Sequence, residues 1–402
     1  MGQTINAEHL TLAQLKEELL ECWDLPYAVL VLGPAGGGKS SIFKQTVAEI
    51  ATGDPFASFR YSTNTGCYLV GGVPTDGTPE GDARERETSF GFIDMRLSQV
   101  EPQDLAGIPM PENGVTKRHL PMDIPVISAS HLPERGLLLL DEVNQADLAV
   151  QKAMFSIILD KKIDNKPFKP GWKIMAAGNR LEDSLAVSEL AGPLQNRFAH
   201  YVVDADYENF KAWALKNGIH PAVTTYLANN TADLCKGEGT NGEYAFPTPR
   251  TWEQVSLKVQ YWEAKHKTKS RTAKVRGIAA LVGSVVANKF VSHLEASDAI
   301  KVEDYLSGKT KHVYGQTELP QAYALLSALY SYVLRHKTLE AYTKVMKFSA
   351  LSDTFKELQE FNALLCHDLR MYSGQDLKAA LETFTPQEID IFYERVGKVI
   401  FN

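Results

Sequence analysis

Cysteine is scarce. Four residues, Cys22, Cys67, Cys235 and Cys366, are spread over 402 positions, and no two form a CxxC pair. That spacing excludes a zinc ribbon and a thioredoxin-type motif and argues against a disulfide scaffold, so buried or incidental thiols in a reducing cytoplasm are expected. Basic charge is not in excess either: 42 Lys and Arg stand against 49 Asp and Glu, a net charge of -7. A mildly acidic chain lacks the broad basic faces with which a general nucleic-acid coat releases counterions, although a local basic patch remains compatible. No apolar run reaches the length of a membrane span. Residues 1–21 hold no apolar stretch behind basic residues, so no signal peptide is expected. There is no internal repeat, and the ten histidines are scattered, with Cys366-His367 an isolated pair. No structural zinc site is expected.

What is present is the composition of a globular protein, 44% hydrophobic and 23% charged residues, over a length that suggests two or three domains. In the first half, apolar strands alternate with helical patterns. Residues 10–20 read as a short amphipathic helix, 28–32 as a strand running into a Gly-rich turn, and 39–50 as a helix. Residues 91–97, 136–140, 172–177 and 200–203 read as strands, and 146–161 as a helix. Two segments break the pattern: 53–90, rich in Gly, Thr, Pro and Asp, reads as a long loop or hairpin insertion, and 99–133 as a proline-dense irregular excursion. Alternating strands and helices predict a parallel α/β sheet. From residue 206 onward the pattern is helical, with period-3.6 apolar spacing at 207–216, 250–265, 278–294, 321–335 and 353–369. Tyr323, Tyr330, Tyr332 and Tyr342 on those helices fit helix packing.

The strongest chemical signal is Gly33-Pro34-Ala35-Gly36-Gly37-Gly38-Lys39-Ser40, a full GxxxxGK[ST] match between an apolar strand and a helix. Glycines let backbone N–H groups converge on phosphate oxygens, and the helix N-terminus adds positive potential. Lys39 is expected to reach the β- and γ-phosphates and the Ser40 hydroxyl to bind Mg²⁺; Ser41 joins the candidate nucleotide-binding set. A second signal is the run 137–142, an apolar strand ending in Asp141 and Glu142. Strand C-termini face the ligand crevice of an open α/β sheet. Asp141 is suited to hold Mg²⁺ and Glu142 to polarise an attacking water.

Three further residues each have a plain and a functional reading. Asn179 ends another strand and serves as a turn residue or cap, or as a hydrogen-bond partner of the γ-phosphate or lytic water. Arg197, near a helix end, compensates the helix dipole or forms a surface ion pair, or is an arginine finger given to a neighbouring subunit. Arg250 lies in the first turn of a helix, where a positive side chain opposes the dipole; contact with a nucleotide phosphate is one reason for it to be there.

In this order the five motifs resemble the AAA+ ATPases, and most closely their MoxR-like branch, in a bacterial or phage-type subgroup. The segment 94–109 (DMRLSQVEPQDLAGIP) looks like the branch's approach to its helix-2 insertion, and 246–252 (FPTPRTW) and 219–221 also fit the subgroup. Asn196, Arg180 and the pair Asn144-Gln145 depart from the residues that the branch often carries there. The resemblance implies Walker A at 33–40, Walker B at Asp141 and Glu142, sensor 1 at Asn179, the finger at Arg197 and sensor 2 at Arg250. The implied organisation is an N-terminal helix (1–24), an α/β P-loop core with a parallel sheet flanked by helices (25–205), an all-α lid (206–270) and a C-terminal helical region (271–402).

The implied activity is Mg²⁺-dependent ATP hydrolysis by a cytoplasmic homo-oligomeric ring, usually a hexamer. Such a ring remodels a protein partner, often one with a von Willebrand factor A domain. Two other readings remain: a nucleic-acid-stimulated motor or restriction- or defence-associated NTPase, and an ATP-gated assembly scaffold. The stretch 265–276, with six Lys or Arg and no acid, is either a solvated interdomain connection or a contact for nucleic acid or an acidic partner. Residues 68–70 and 105–109 are either packed insertion segments or substrate-gripping pore loops.

Overall fold

Strands that are covered on both faces read as unbroken apolar runs, and this is how the sheet is built in the computed structural model. Residues 9–163, 165–180, 190, 192–237, 244–265, 269–373, 375 and 377–397 are described. They divide into two units, Met1–Ala205 and Asp206–Asn402.

The first unit is mixed α/β. Its strands, numbered in chain order, are β1 (His9–Leu10), β2 (Ala28–Leu32), β3 (Arg60–Ser62), β4 (Cys67–Val70), β5 (Phe90–Arg96), β6 (Ile108–Glu112), β7 (Val115–His119), β8 (Arg135–Asp141), β9 (Lys162–Ile163), β10 (Lys166–Pro167), β11 (Gly171–Gly178) and β12 (Phe198–Val203). Eight form one sheet in the order β1-β12-β2-β11-β8-β5-β4-β3. Neighbours from β1 to β5 run parallel, and β4 and β3 add an antiparallel edge. The helices are α1 (Leu12–Glu21), α2 (Lys39–Thr52), α3 (Pro79–Thr88), α4 (Pro102–Ala106), α5 (Leu148–Asp160) and α6 (Gly192–Gln195).

Side chains alternate across the central strands. Val29, Val31, Leu137, Leu139, Met175 and Ala177 pack with Leu15 and Leu19 of α1 and Phe43 and Val47 of α2. Leu30, Leu138, Leu140, Ile174 and Ala176 pack on the other face with Met154 and Ile157 of α5. Both faces are therefore dry, and each fully buried Leu, Ile or Phe stabilises by about 1.5–3 kcal/mol.

The first helix begins at Leu12, capped by Thr11, because Leu10 pairs instead with Val203 at the sheet edge. The 53–90 segment is a hairpin, β3–β4, followed by α3, a helix that sequence periodicity does not show. Glu85 of α3 is 3% exposed and accepts hydrogen bonds from Arg60, Ser62 and the Thr75 amide, which ties helix and hairpin together. The 99–133 excursion contains an ordered β6–β7 hairpin turning at Asn113 and Gly114, both at positive φ, the sequence pair favoured in such turns. Leu69 and Val70 are buried in β4 and Leu105 in α4, whereas Ile108 is 56% exposed.

The second unit is all-helical: α7 (Tyr207–Lys216), α8 (Pro221–Asn229), α9 (Pro249–Ala264), α10 (Arg271–Val282), α11 (Ser284–Ala299), α12 (Val302–Leu306), α13 (Leu319–His336), α14 (Leu339–Leu351), α15 (Gln359–Ser373) and shorter helices after it. The periodic run at 278–294 is two helices, because Gly283 at φ 80° breaks it; left-handed backbone is cheap only for glycine. Tyr226, Trp252 and Phe290 meet with ring centroids 5.5 Å apart, joining α8, α9 and α11. Tyr330 and Tyr342 are buried in the second core. Within the 265–276 stretch, residues 266–268 lie outside the described residues, as do 1–8 of the N-terminal segment. From Arg271 the stretch is the start of α10, not a connection. Arg271 and Lys274 pair there with Glu295 and Asp298 of α11. No described helix is long and apolar enough to cross a membrane.

Candidate active site

Parallel pairing decides which residues meet. Val29, Met175 and Leu139 lie side by side on β2, β11 and β8. Following each strand to its C-terminal end leads to Gly33, Asn179 and Asp141. Gly33, more than a hundred positions before the other two, therefore emerges with them along one edge of the sheet. The Gly33 amide donates to the Gly178 carbonyl at 3.3 Å, so the ladder continues into the Gly-rich turn.

That turn ends at Gly38, whose φ of 95° is a left-handed conformation costly for any side chain. Lys39 opens α2 immediately after it. The Lys39 side chain is only 7% exposed. Its Nζ donates to the carbonyls of Gly33 and Pro34, each at 2.8 Å, and to Asn179 Oδ1 at 2.9 Å. An anionic phosphate oxygen is a stronger acceptor for an ammonium than these neutral oxygens. One residue on, the Ser40 hydroxyl donates to Asp141 Oδ2 at 2.7 Å. Asp141 is 9% exposed, and its other oxygen accepts the Glu142 amide at 2.9 Å.

Glu142 takes φ 59°, left-handed backbone that is a strain for a non-glycine residue. Its carboxylate accepts a hydrogen bond from the exposed Ser98 hydroxyl, in the short turn after β5. Asn179 is 8% exposed and Asn144 5%. The Asn144 amide donates to the Asn179 carbonyl at 2.5 Å, and its Oδ1 accepts the Asn179 amide at 3.1 Å. This close approach is open only because residue 178 is glycine: a Cβ there would lie 2.7 Å from Asn144 Oδ1.

Three residues at this edge escape sequence reasoning. Asn144 and Ser98 are ordinary polar residues in turns, and only the fold brings them to Asn179 and Glu142. Asp94 leaves a trace, a carboxylate inside the otherwise apolar run of β5. Its Oδ1 is buried with no hydrogen-bond partner among the described residues. Burial, and then the neighbouring Asp141 charge, hold its proton affinity above the ordinary carboxylate range, while Lys44 and Arg96 oppose this.

Arg197 is exposed, in the turn between α6 and β12, and its side chain has no partner among the described residues. Arg250 belongs to the second unit. Its helix is capped by Thr248, which accepts the Thr251 amide at 3.1 Å, with Pro249 at the first helical position. Arg250 is exposed in that first turn.

A hydroxyl and a carboxylate 2.7 Å apart are hard oxygen donors. They suit Mg²⁺, which takes one or two protein oxygens beside phosphates and water. Among the described residues no group of three or more His, Cys, Asp or Glu could hold a metal alone.

No family model matches the chain, and no curated protein matches it. Solved structures align with it at low identity and low TM-score. A RuvB mutant of Thermotoga maritima is 14% identical over 77% of this chain and 78% of its own, with a TM-score of 0.28. NtrX of Brucella abortus in complex with ATP is 11% identical over 92% and 69%, at 0.35. The ORC2 protein of Aeropyrum pernix, in ADPNP-ADP complexes, is 11% identical over 93% and 96%, also at 0.35. At these scores the functional assignment falls to the residues of the site.

Proposed function

We propose that the chain is an Mg²⁺-dependent ATPase of the AAA+ type, MoxR-like in its motifs, that assembles into a ring and remodels a protein partner. The observation that carries this reading is the meeting of Lys39 with Asn179 and of Ser40 with Asp141 at one strand edge. Four residues of three separate sequence motifs converge there as phosphoryl-transfer chemistry requires.

In this reading the amides of residues 33–40 and the start of α2 cradle the phosphates. Lys39 exchanges its carbonyl contacts for the β- and γ-phosphate oxygens. Ser40 and Asp141 would hold the cation, which neutralises charge developing on the phosphates when bound. Glu142 accepts the proton of the attacking water, after its carboxylate turns away from Ser98. Asn179, fixed through its backbone by Asn144, holds the water or the γ-phosphate. By the family resemblance alone, Arg197 is the finger given to a neighbouring subunit's site and Arg250 is sensor 2. The protein partner, with or without a von Willebrand factor A domain, rests on it too.

A nucleic-acid motor anchored on 265–276 draws less support, because Arg271 and Lys274 are already neutralised by Glu295 and Asp298. The test is ATP hydrolysis at saturating Mg²⁺ by the wild type, Lys39→Ala and Ser40→Ala, with and without DNA or RNA at physiological salt. We expect turnover in the wild type alone, unchanged by nucleic acid. Strong nucleic-acid stimulation would favour the motor, and equal rates in all three proteins would overturn the reading.

A further inference from the structure

The Arg197 guanidinium has no partner among the described residues, and we propose that His200 is the positioning residue that presents it to a neighbouring copy of the chain. This rests on the reading above, in which Arg197 completes another subunit's site.

The geometry is local and complete on one side. The carbonyl of Gln195 can only accept, so His200 Nε2 carries the proton and donates to it at 2.6 Å. The Gln195 amide donates to the Leu190 carbonyl at 2.8 Å, and the Arg197 amide closes the turn onto the Leu194 carbonyl at 3.0 Å. The turn carrying Arg197 is thus pinned by backbone and side-chain bonds on its inner side, while the guanidinium is exposed without a partner among the described residues.

The ring of His200 is bound to this one task. Its Nδ1 is buried with no partner among the described residues, an arrangement that is unfavourable unless the other nitrogen's bond compensates. Its ring also meets that of Phe198 edge to face, with centroids 6.3 Å apart. His200 also lies opposite Leu30 of β2, the strand that runs into the Gly-rich turn three residues later. Arg197 is therefore hung from the same strand pair that carries its own subunit's phosphate-binding loop.

The test uses mixtures of full-length chains. A Glu142→Gln subunit cannot hydrolyse but still donates Arg197, whereas an Arg197→Ala subunit keeps its site but donates nothing. Mixed, they should hydrolyse ATP although neither does alone. If the mixture stays inactive, Arg197 does not act between subunits, and both the reading and this inference fall together.

If it is active, His200→Phe is placed on one side at a time. On the Glu142→Gln donor it should lower turnover by about 10–100-fold, the cost of a misplacement near 1 Å. On the Arg197→Ala subunit it should change nothing. His200→Gln, which can still donate to Gln195, should retain most of the donor's effect. Equal losses on both sides, no loss on the donor side, or His200→Gln falling as far as His200→Phe would each overturn the proposal. Should His200→Phe not fold, His200→Met serves as the donor-free variant.

Discussion

Replacing Asn144 by Ala should loosen Asn179 without touching any group assigned to the nucleotide. The Asn144 side chain satisfies both the amide and the carbonyl of Asn179, and both residues are almost fully buried. Each backbone group left unpaired costs about 1–3 kcal/mol. A water entering the space would recover part of this, which places the net loss near the lower end of the sum, about 2–3 kcal/mol. The assay is native-state hydrogen exchange of a peptide covering the end of β11, which reports local opening directly. The expected change is exchange faster by roughly 30–150-fold, at 1.4 kcal/mol per decade. Turnover should fall by about tenfold or more through misplacement of Asn179. Asn144→Asp is a sharper probe, since it keeps the acceptor for the Asn179 amide but sets a carboxylate against the Asn179 carbonyl; it should be no better than Ala. Exchange and turnover both indistinguishable from wild type would refute the argument that Asn144 holds Asn179.

Ser40→Ala removes the hydroxyl that meets Asp141, and should weaken Mg²⁺ binding to the nucleotide complex, read by titration calorimetry with Mn²⁺ as probe. In the helical unit, Asp368 accepts Lys211 at 3.0 Å and Tyr330 at 3.2 Å in a buried setting. Asp368→Ala should destabilise by about 3–5 kcal/mol, the cost of a buried charge left unpaired, measured by urea unfolding. His293 donates to Thr225 at 3.0 Å, since the Thr225 proton is given to the Pro221 carbonyl. Burial, and then the charge of His220, push its pKa down from 6.5 to about 4. The unfolded chain therefore takes up the proton first as pH falls through 6.5. This removes roughly 2 kcal/mol of stability between pH 7 and pH 5 and more toward pH 4. His293→Gln should flatten that part of the stability–pH curve, and an unchanged slope would exclude His293 as its source.

The residues at the sheet edge were legible because strand ends announce themselves. The runs before Gly33, Asp141 and Asn179 are apolar and short, and each stops at a residue with different chemistry. Their meeting follows from parallel pairing alone. Asn144 was not legible as a partner: it lies 35 residues from Asn179, and only the fold closes that distance. The glycine at 178 was the one trace of a close approach. His200 and Ser98 gave no sign for the same reason. The helix α3 (PEGDARERET) has no apolar stripe, so periodicity could not find it. Its start was nevertheless written in Thr78, which caps the helix, and Pro79 at its first position. Conversely, the run at 278–294 is periodic throughout, and the single Gly283 outweighs that periodicity by turning the backbone left-handed. The prolines at 109 and 111 hid a hairpin whose Asn113-Gly114 turn was visible.

The central claim is that this strand edge hydrolyses a nucleotide. Glu142→Gln tests it most directly, because the change removes the proposed proton acceptor and leaves the Lys39, Ser40, Asp141 and Asn179 contacts in place. ATP binding and the rate of phosphate release should be measured on the same preparations with Mg²⁺ present. The account predicts that the variant binds ATP as tightly as the wild type and releases phosphate at least about a hundredfold more slowly, the lower end of a general base's contribution. Phosphate release from the wild type no faster than from Glu142→Gln would contradict it.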